Sequence, residues 1–207
     1  GRAALAARGT FTTRDWFVNE DGAILARVDW DPAERRFKIA SRLSGDAFTT
    51  IYSEEAVVDP SLQVVGIAPD GKSLVVSRAN DENDFFALFE LSQAGAFSTP
   101  IFTRDDRDTE YVYTDINRRA IGVRYSGSQP SYEFYDKALD AAMRDLVSHF
   151  ENNAVTLLSW SADFTTLLIE VSGGGLAPTV YRYDRNGAKL AAIANPYDRI
   201  GVADIGM

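Results

Sequence analysis

Four stretches of the chain repeat one pattern, which is a strand, a tight turn and a second strand. They read WFVNEDGAILARV from Trp16, VGIAPDGKSLVVS from Val65, VYTDINRRAIGVR from Val112 and LSWSADFTTLLIE from Leu158. The turn residues are Asp21, Asp70, Asn117 and Asp163, at intervals of 49, 47 and 46 residues. A recurring interval of this length indicates a repeat architecture, and we number these stretches repeats 1 to 4.

Apolar columns flank the turn in every repeat. The column five residues before the turn consists of Trp16, Val65, Val112 and Leu158, and the column four residues after it consists of Leu25, Leu74, Ile121 and Leu167. Two adjacent antiparallel strands that each bury one face need such columns, so we expect both to be buried.

The residue after the turn Asp or Asn differs between repeats. It is Gly22 or Gly71 in repeats 1 and 2, but Arg118 or Phe164 in repeats 3 and 4. Because glycine favours left-handed backbone, we predict that the last two turns differ in type from the first two.

Each repeat continues with two further strand-like runs. The third-strand runs are Arg36–Ser41, Phe85–Leu91, Tyr132–Asp136 and Thr179–Asp184, and the fourth-strand runs are Phe48–Tyr52, Thr99–Thr103, Leu146–Phe150 and Leu190–Ala194. Asn186-Gly187 is a strong hairpin signal in repeat 4. In repeat 3 the apolar residues of KALDAAMRDL follow helical spacing, which predicts a short helix at Lys137–Leu146.

Units of four strands at this interval are typical of β-propeller blades. The predicted fold class is all-β, with about four blades of four antiparallel strands and one short inserted helix. A β-sandwich is the alternative, but it would not give four aligned copies of one unit. We place the blades at residues 14–52, 62–103, 110–150 and 155–194 of a single propeller segment, with an exit tail at 195–207.

The first residue is Gly1 rather than Met, which favours a piece of a longer protein.

Composition excludes several classes of partner and site. The net charge of −9 disfavours nucleic acid and anionic membranes as partners. The absence of cysteine excludes disulfides and thiolate metal sites, and it leaves the compartment open between cytoplasm and periplasm. No stretch approaches the roughly 20 apolar residues of a membrane span, so we expect a soluble protein.

The sequence assigns no catalytic, cofactor-binding or metal-binding residue. A triad would need a nucleophile and an acid around His149, the one histidine, so we interpret His149 as structural. Gly173–Gly175 precedes a strand and is interpreted as a hairpin turn rather than a phosphate loop. The acidic runs Asn80–Asp84 and Asp105–Glu110 do not match calcium-loop spacing and are interpreted as solvated connections.

Two further groups receive structural interpretations. The third-strand aromatic residues are assigned to packing between blades. They are Phe85, Phe86, Phe89, Tyr132, Phe134, Tyr135, Tyr181 and Tyr183. The basic pairs Arg35-Arg36 and Arg118-Arg119 are interpreted as solvated turn residues.

Several phrases resemble the C-terminal propeller blades of prolyl oligopeptidase family serine peptidases, the acylaminoacyl- and dipeptidyl-peptidase-like bacterial members. They are DGAILARVDWD at Asp21–Asp31, the endings Phe134–Asp136 and Val180–Asp184, and the closing ANPYDRIGVADIGM. The resemblance implies a propeller that caps a hydrolase active site and admits short peptides. It places the Ser, Asp and His of the triad on an α/β-hydrolase domain that is absent from this chain, so no triad residue is carried over.

The function expected from this resemblance is the non-catalytic gate of a serine peptidase. The alternative is a non-enzymatic propeller scaffold that docks protein partners. Expected partners are the hydrolase domain of the parent chain and short peptides. Because an arc of four blades would expose apolar end faces with residues such as Trp16, Trp30, Tyr181 and Tyr183, we also expect self-association or closure into a four-bladed ring.

Overall fold

The computed structural model describes residues 5–42 and 47–197, and about half of them lie in four antiparallel sheets. Sheet 1 contains β1 (Thr13–Val18), β2 (Ile24–Asp31), β3 (Arg36–Ser41) and β4 (Thr49–Glu55). Sheet 2 contains β5 (Leu62–Ile67), β6 (Leu74–Ala79) and β7 (Phe86–Leu91). Sheet 3 contains β8 (Thr109–Thr114), β9 (Ala120–Tyr125) and β10 (Ser131–Phe134), and sheet 4 contains β11 (Ala154–Trp160), β12 (Thr166–Gly173), β13 (Leu176–Asp184) and β14 (Lys189–Ala194).

Within each sheet the strands are neighbours in chain order, as blades require. The helix α1 spans Lys137–His149. The predicted fold class is therefore confirmed. The chain divides into two compact units, Gly1–Ile121 and Gly122–Met207. Most of the predicted exit tail, residues 198–207, lies outside the described residues.

The fourth strand predicted at Thr99–Thr103 is wrong. The segment makes two isolated bridges to β7, Leu91 with Phe97 and Leu88 with Phe102, and forms no continuous ladder. Pro100 lies between these contacts and has no N–H to donate, so one hydrogen bond of a continuous ladder is lost there. The chain still covers the outer edge of β7 in sheet 2.

The fourth strand predicted at Leu146–Phe150 is also wrong, because α1 continues to His149 and occupies that part of repeat 3. The helix starts at the N-cap Asp136, whose carboxylate accepts the Leu139 N–H at 2.6 Å. Its apolar face is buried and consists of Leu139, Ala142, Met143 and Leu146. That burial at helical spacing outweighs the strand-like composition of the last turn.

All four repeat turns are of the same kind, which corrects the prediction that two would differ. Gly22, Gly71, Arg118 and Phe164 have φ of 79°, 69°, 62° and 55°. Each donates its N–H to the carbonyl three residues earlier, at 2.8–3.0 Å. Arg118 and Phe164 thus adopt left-handed backbone that a residue with a Cβ occupies at some cost in free energy.

The apolar column before the turn is less buried than predicted, and Leu158 is 47% exposed. In repeats 2 and 4 a β-bulge falls at this position, because the register skips Val65 and Leu158. A bulge turns the inserted side chain away from its expected face. The column after the turn is buried in three repeats, at Leu25, Leu74 and Leu167.

The core of the first unit lies between the faces of sheets 1 and 2. It includes Phe17, Ile39, Leu62, Leu74 and Leu91, with Trp30 partly buried against it. Within the described part of the chain, no helix is long and apolar enough to cross a membrane.

Candidate functional site

A set of polar contacts in the first unit joins repeat 1 to repeat 3. The Arg118 guanidinium makes two parallel hydrogen bonds to the Asp15 carboxylate, with N–O distances of 2.9 and 2.8 Å. It also donates to the Trp16 carbonyl at 3.2 Å, and its central carbon lies 4.0 Å from the centre of the Phe17 ring. We call Asp15, Trp16, Phe17, Arg118 and Arg119 the turn cluster.

Local hydrogen bonds to Asp115 fix the backbone of the repeat 3 turn and so orient Arg118 and Arg119. The Asp115 carboxylate accepts the N–H groups of Asn117 and Arg119, each at 2.9 Å, and the Asp115 carbonyl accepts that of Arg118 at 3.0 Å. This folding of an Asp side chain onto the following backbone is the usual way in which Asp shapes a turn. Arg119 extends to Glu20 in repeat 1, with an N–O distance of 2.8 Å.

Repeat 2 meets the same turn through its backbone. The Ile67 N–H donates to the Arg118 carbonyl at 2.8 Å, and Ile67 bridges Arg119 in parallel orientation. Gly66 allows this approach, since a Cβ there would lie 3.0 Å from the Arg118 carbonyl oxygen. The first strands of three repeats therefore converge on one turn.

The electrostatics of the turn cluster favour a charged Asp15. Burial alone would raise the pKa of Asp15, but the hydrogen bond from Arg118, the Trp16 N–H and the Arg118 charge together hold it below the usual value. Both partners of the ion pair remain partly exposed, with 41% of the Arg118 side chain and 45% of the Asp15 side chain accessible. Solvent screening therefore limits the free energy that the pair contributes.

A pH dependence follows from the lowered pKa. Asp15 stabilises the fold above its unfolded-state pKa, near 4, and loses that contribution as pH falls through its lower folded-state pKa. We therefore expect D15N to be less stable than the parent chain at pH 7 and the difference to shrink below about pH 4. Urea unfolding of both chains across this range measures it. A difference that stays constant with pH would contradict the prediction.

The cluster contains no serine, threonine, cysteine or lysine, and its one carboxylate, that of Asp15, is engaged by Arg118. It can orient the first strands and present charge, and it offers no group for acyl or phosphoryl chemistry. The interpretation of Arg118-Arg119 as solvated turn residues is corrected, because both arginines form ion pairs. The signal that could have revealed them is an arginine at the position where two other repeats have glycine.

His149 lies at the end of α1 rather than in an outer strand. Its ring contacts Phe150 edge-on, with centroids 4.9 Å apart. A cavity of about 200 Å³ lies beside it, and Asp145 and Tyr183 also line this cavity. Among the described residues that line it there is no serine, threonine or cysteine.

Gly173–Gly175 forms the turn between β12 and β13, with φ of 87°, 56° and 81°. This confirms the hairpin interpretation. The predicted hairpin at Asn186-Gly187 also forms, although Ala188 and not the glycine has positive φ, of 47°.

The acidic runs of repeat 2 and repeat 3 come together. The Asn83 amide donates to the Arg104 carbonyl at 3.3 Å and to the Asp105 carboxylate at 3.5 Å. Among the residues that the structure describes, no three His, Asp or Glu side chains are placed to hold a metal ion.

The third-strand aromatic residues differ in exposure. Phe89, Tyr132 and Phe134 are at most 6% exposed, as packing requires, whereas Phe86 and Tyr135 are 45% and 39% exposed. The remaining three, Phe85, Tyr181 and Tyr183, are half-buried.

Comparison with known proteins gives a likeness of fold. No family model and no curated protein matches the sequence. A puromycin-hydrolyzing peptidase of Mycobacterium tuberculosis matches in structure with a TM-score of 0.50 and 15% identity, over 92% of this chain and 30% of that one. A puromycin hydrolase matches with a TM-score of 0.48 and 15% identity, over 91% and 29%. TolB from Acinetobacter baumannii matches with a TM-score of 0.42 and 17% identity, over 82% of this chain and 41% of that one.

This chain thus spans about a third of the length of the two peptidases that it resembles. The resemblance inferred from the blade phrases is confirmed as a resemblance of fold, to the propeller-type part of prolyl oligopeptidase family peptidases.

Proposed function

We propose that this chain is the β-propeller portion of a serine peptidase of the prolyl oligopeptidase type. In this proposal it restricts the access of short peptides to a hydrolase domain outside the chain. The observation that carries it is the likeness over 92% of this chain to 30% of a puromycin-hydrolyzing peptidase. A match to less than a third of that chain leaves the remainder for the catalytic apparatus.

The turn cluster gives the proposed gate a physical basis. The first strands of propeller blades surround a central channel, and their turns mark its end. Here the turn of repeat 3 is fastened to repeat 1 by Asp15–Arg118 and Glu20–Arg119, and to repeat 2 by the Ile67 N–H. Partly exposed ion pairs are weak enough to open and reform, so they suit a passage that must admit some molecules and exclude others.

The contacts of this propeller with its partners are part of the same proposal. Strand β14 is exposed along most of its length, and Ile193 is 54% exposed. That face would contact the hydrolase domain or a second copy of the chain.

Labelling of the catalytic serine tests the proposal. We expect a fluorophosphonate probe to label the complete protein that contains this chain and to leave the isolated 207-residue chain unlabelled. The reason is that the proposed nucleophile lies in the hydrolase domain, where a base activates it. Heat-denatured samples of both proteins serve as controls for non-specific labelling.

Two outcomes would overturn the proposal. Labelling of the isolated chain would place the nucleophile within it. A complete protein that is not labelled, and whose coding sequence has no G-x-S-x-G segment, would favour the non-enzymatic scaffold.

A further inference from the structure

A groove of about 400 Å³ lies between repeats 2 and 3 within the first unit. Its floor is one face of β5 and β6, with Gln63, Val65 and Ser77. Its walls are Phe86 and four consecutive residues of β8, Thr109–Val112. We refer to it as the acidic groove, for the charges described below.

Two aromatic side chains that line the groove are exposed to solvent and are not part of the buried core. Phe86 is 45% exposed and Tyr111 is 52% exposed, and both line the cavity. The Tyr111 ring meets the Tyr113 ring edge-on, with centroids 4.9 Å apart, and Tyr113 is buried. Exposed aromatic side chains in a concave site are typical anchors for a bound side chain.

The two walls of the groove are joined by hydrogen bonds, so its shape is preformed. The Phe86 N–H donates to the Asp108 carboxylate at 2.7 Å, and the Thr109 hydroxyl donates to the Phe86 carbonyl at 3.0 Å. Val65 is the residue inserted by the β5 bulge, which directs its side chain into this cavity. A preformed site loses less conformational entropy when a ligand binds.

The surroundings of the groove carry a strong negative charge. Segments 80–84 and 104–110 hold seven carboxylates and two arginines, a net charge of −5, and two of these carboxylates, Asp81 and Asp106, are already paired with Arg78 and Arg107. Hydrogen bonds from Asn83 to Arg104 and Asp105 hold the two segments together beside Phe86. Because no three described carboxylates converge on one point, the charge suits several separate cationic groups better than a single metal ion.

The strand geometry indicates the backbone form of the ligand. Strand β8 is the last strand of its sheet in the order β10-β9-β8, and four of its residues in succession line the groove. Four residues of an edge strand extend over about 13 Å, and an edge strand pairs readily with an added extended segment.

We propose that the acidic groove binds an extended peptide segment in which an apolar side chain is flanked by Lys or Arg. The apolar side chain lies between Phe86 and Tyr111, and the cationic side chains face the carboxylates of segments 80–84 and 104–110. This inference goes beyond the proposed function and does not depend on it, because it concerns binding by the chain alone and needs no hydrolase domain.

Calorimetric titration of the 207-residue chain with a blocked peptide, acetyl-Arg-Val-Phe-Val-Arg-amide, tests the proposal. In an extended peptide both arginines and the phenylalanine face one side. The blocked ends remove any contribution from a free terminus. We expect this peptide to bind at least tenfold more tightly than its counterpart with Glu in both Arg positions. We also expect its affinity to fall several-fold when salt is raised from about 0.05 to 0.5 M.

Variants locate the binding site. We expect F86S and Y111S each to weaken binding roughly tenfold, and E110Q to weaken it two- to fivefold. The matched controls are I116S, at an exposed apolar residue outside the groove, and E34Q, at an exposed carboxylate in the turn between β2 and β3. Neither control should change the affinity.

Equal binding of the Arg and Glu peptides, or no binding of the Arg peptide, would overturn the proposal even if a variant failed to fold. Equal losses in the groove variants and the controls would also overturn it. Fluorophosphonate labelling of the complete protein reports on the serine peptidase separately, so failure of one proposal is distinguishable from failure of the other.

Discussion

Replacing Phe17 by alanine is expected to lower the free energy of unfolding by about 3–5 kcal/mol. Phe17 is fully buried in the core of the first unit, and it also lies under the Arg118 guanidinium at 4.0 Å. The substitution removes an aromatic ring from the core and leaves a cavity. It also removes the surface on which the arginine rests, so the two losses act in the same direction.

Urea unfolding followed by circular dichroism measures the free energy of unfolding of F17A. Two further variants serve for comparison. V18A changes the next residue, which is 40% exposed, and should alter stability by no more than about 0.5 kcal/mol. F17L retains most of the volume without the aromatic face and should cost about 1–1.5 kcal/mol. If F17A lost less than about 1 kcal/mol, Phe17 would not be part of the core.

The second large effect is expected at Asp140 in the first turn of α1, where D140A should cost about 2–4 kcal/mol. The Asp140 carboxylate is buried, accepts the Phe134 N–H at 2.9 Å and pairs with Arg144 at 3.2 Å. Alanine would remove the carboxylate that accepts the Phe134 N–H and would remove a negative charge from the positive end of the helix dipole.

Two variants separate the contribution of the buried hydrogen bond at Asp140 from the contribution of negative charge on the helix. D140N keeps an oxygen acceptor for the Phe134 N–H and should cost less than D140A. D145A removes an exposed carboxylate from the same helix and should change the free energy of unfolding by no more than about 0.5 kcal/mol. Equal losses in D140A and D145A would show that the buried hydrogen bond is not the cause.

The strand pattern could be predicted from the sequence because it is local. Strand β3 spans Arg36–Ser41, as predicted for the third-strand run, and the column at Leu25, Leu74 and Leu167 is buried. The bulges at Val65 and Leu158 were missed because a bulge inserts one residue without changing the apolar character of the run. The strand predicted at Leu146–Phe150 was wrong because short apolar runs fit helix and strand equally well.

The turn cluster and the acidic groove were not predictable by the same means. The partners Asp15 and Arg118 are 103 residues apart in the chain, and no periodicity links them. Asn80–Asp84 and Asp105–Glu110 were recognised as acidic runs, but only the folded chain shows that they lie beside Phe86 and Tyr111. Such pairings depend on how blades meet, which a single sequence does not encode locally.

The attachment of repeat 3 to repeat 1 has a consequence for folding cooperativity. In most repeat proteins each unit contacts only its neighbours, so stability is a sum of unit and nearest-neighbour terms, and the array can unfold from its ends. Here the Arg118–Asp15 ion pair adds an interaction between second-neighbour repeats, 3 and 1. The Ile67 N–H also attaches repeat 2, which lies between them in the chain, to the same turn. The loop that must close before this term contributes is about a hundred residues long, which slows folding more than it affects stability. Separation of repeat 1 from repeat 2 must therefore also break the contacts of repeat 1 with the turn of repeat 3, and because the ion pair is partly exposed it adds only a small free energy to that step.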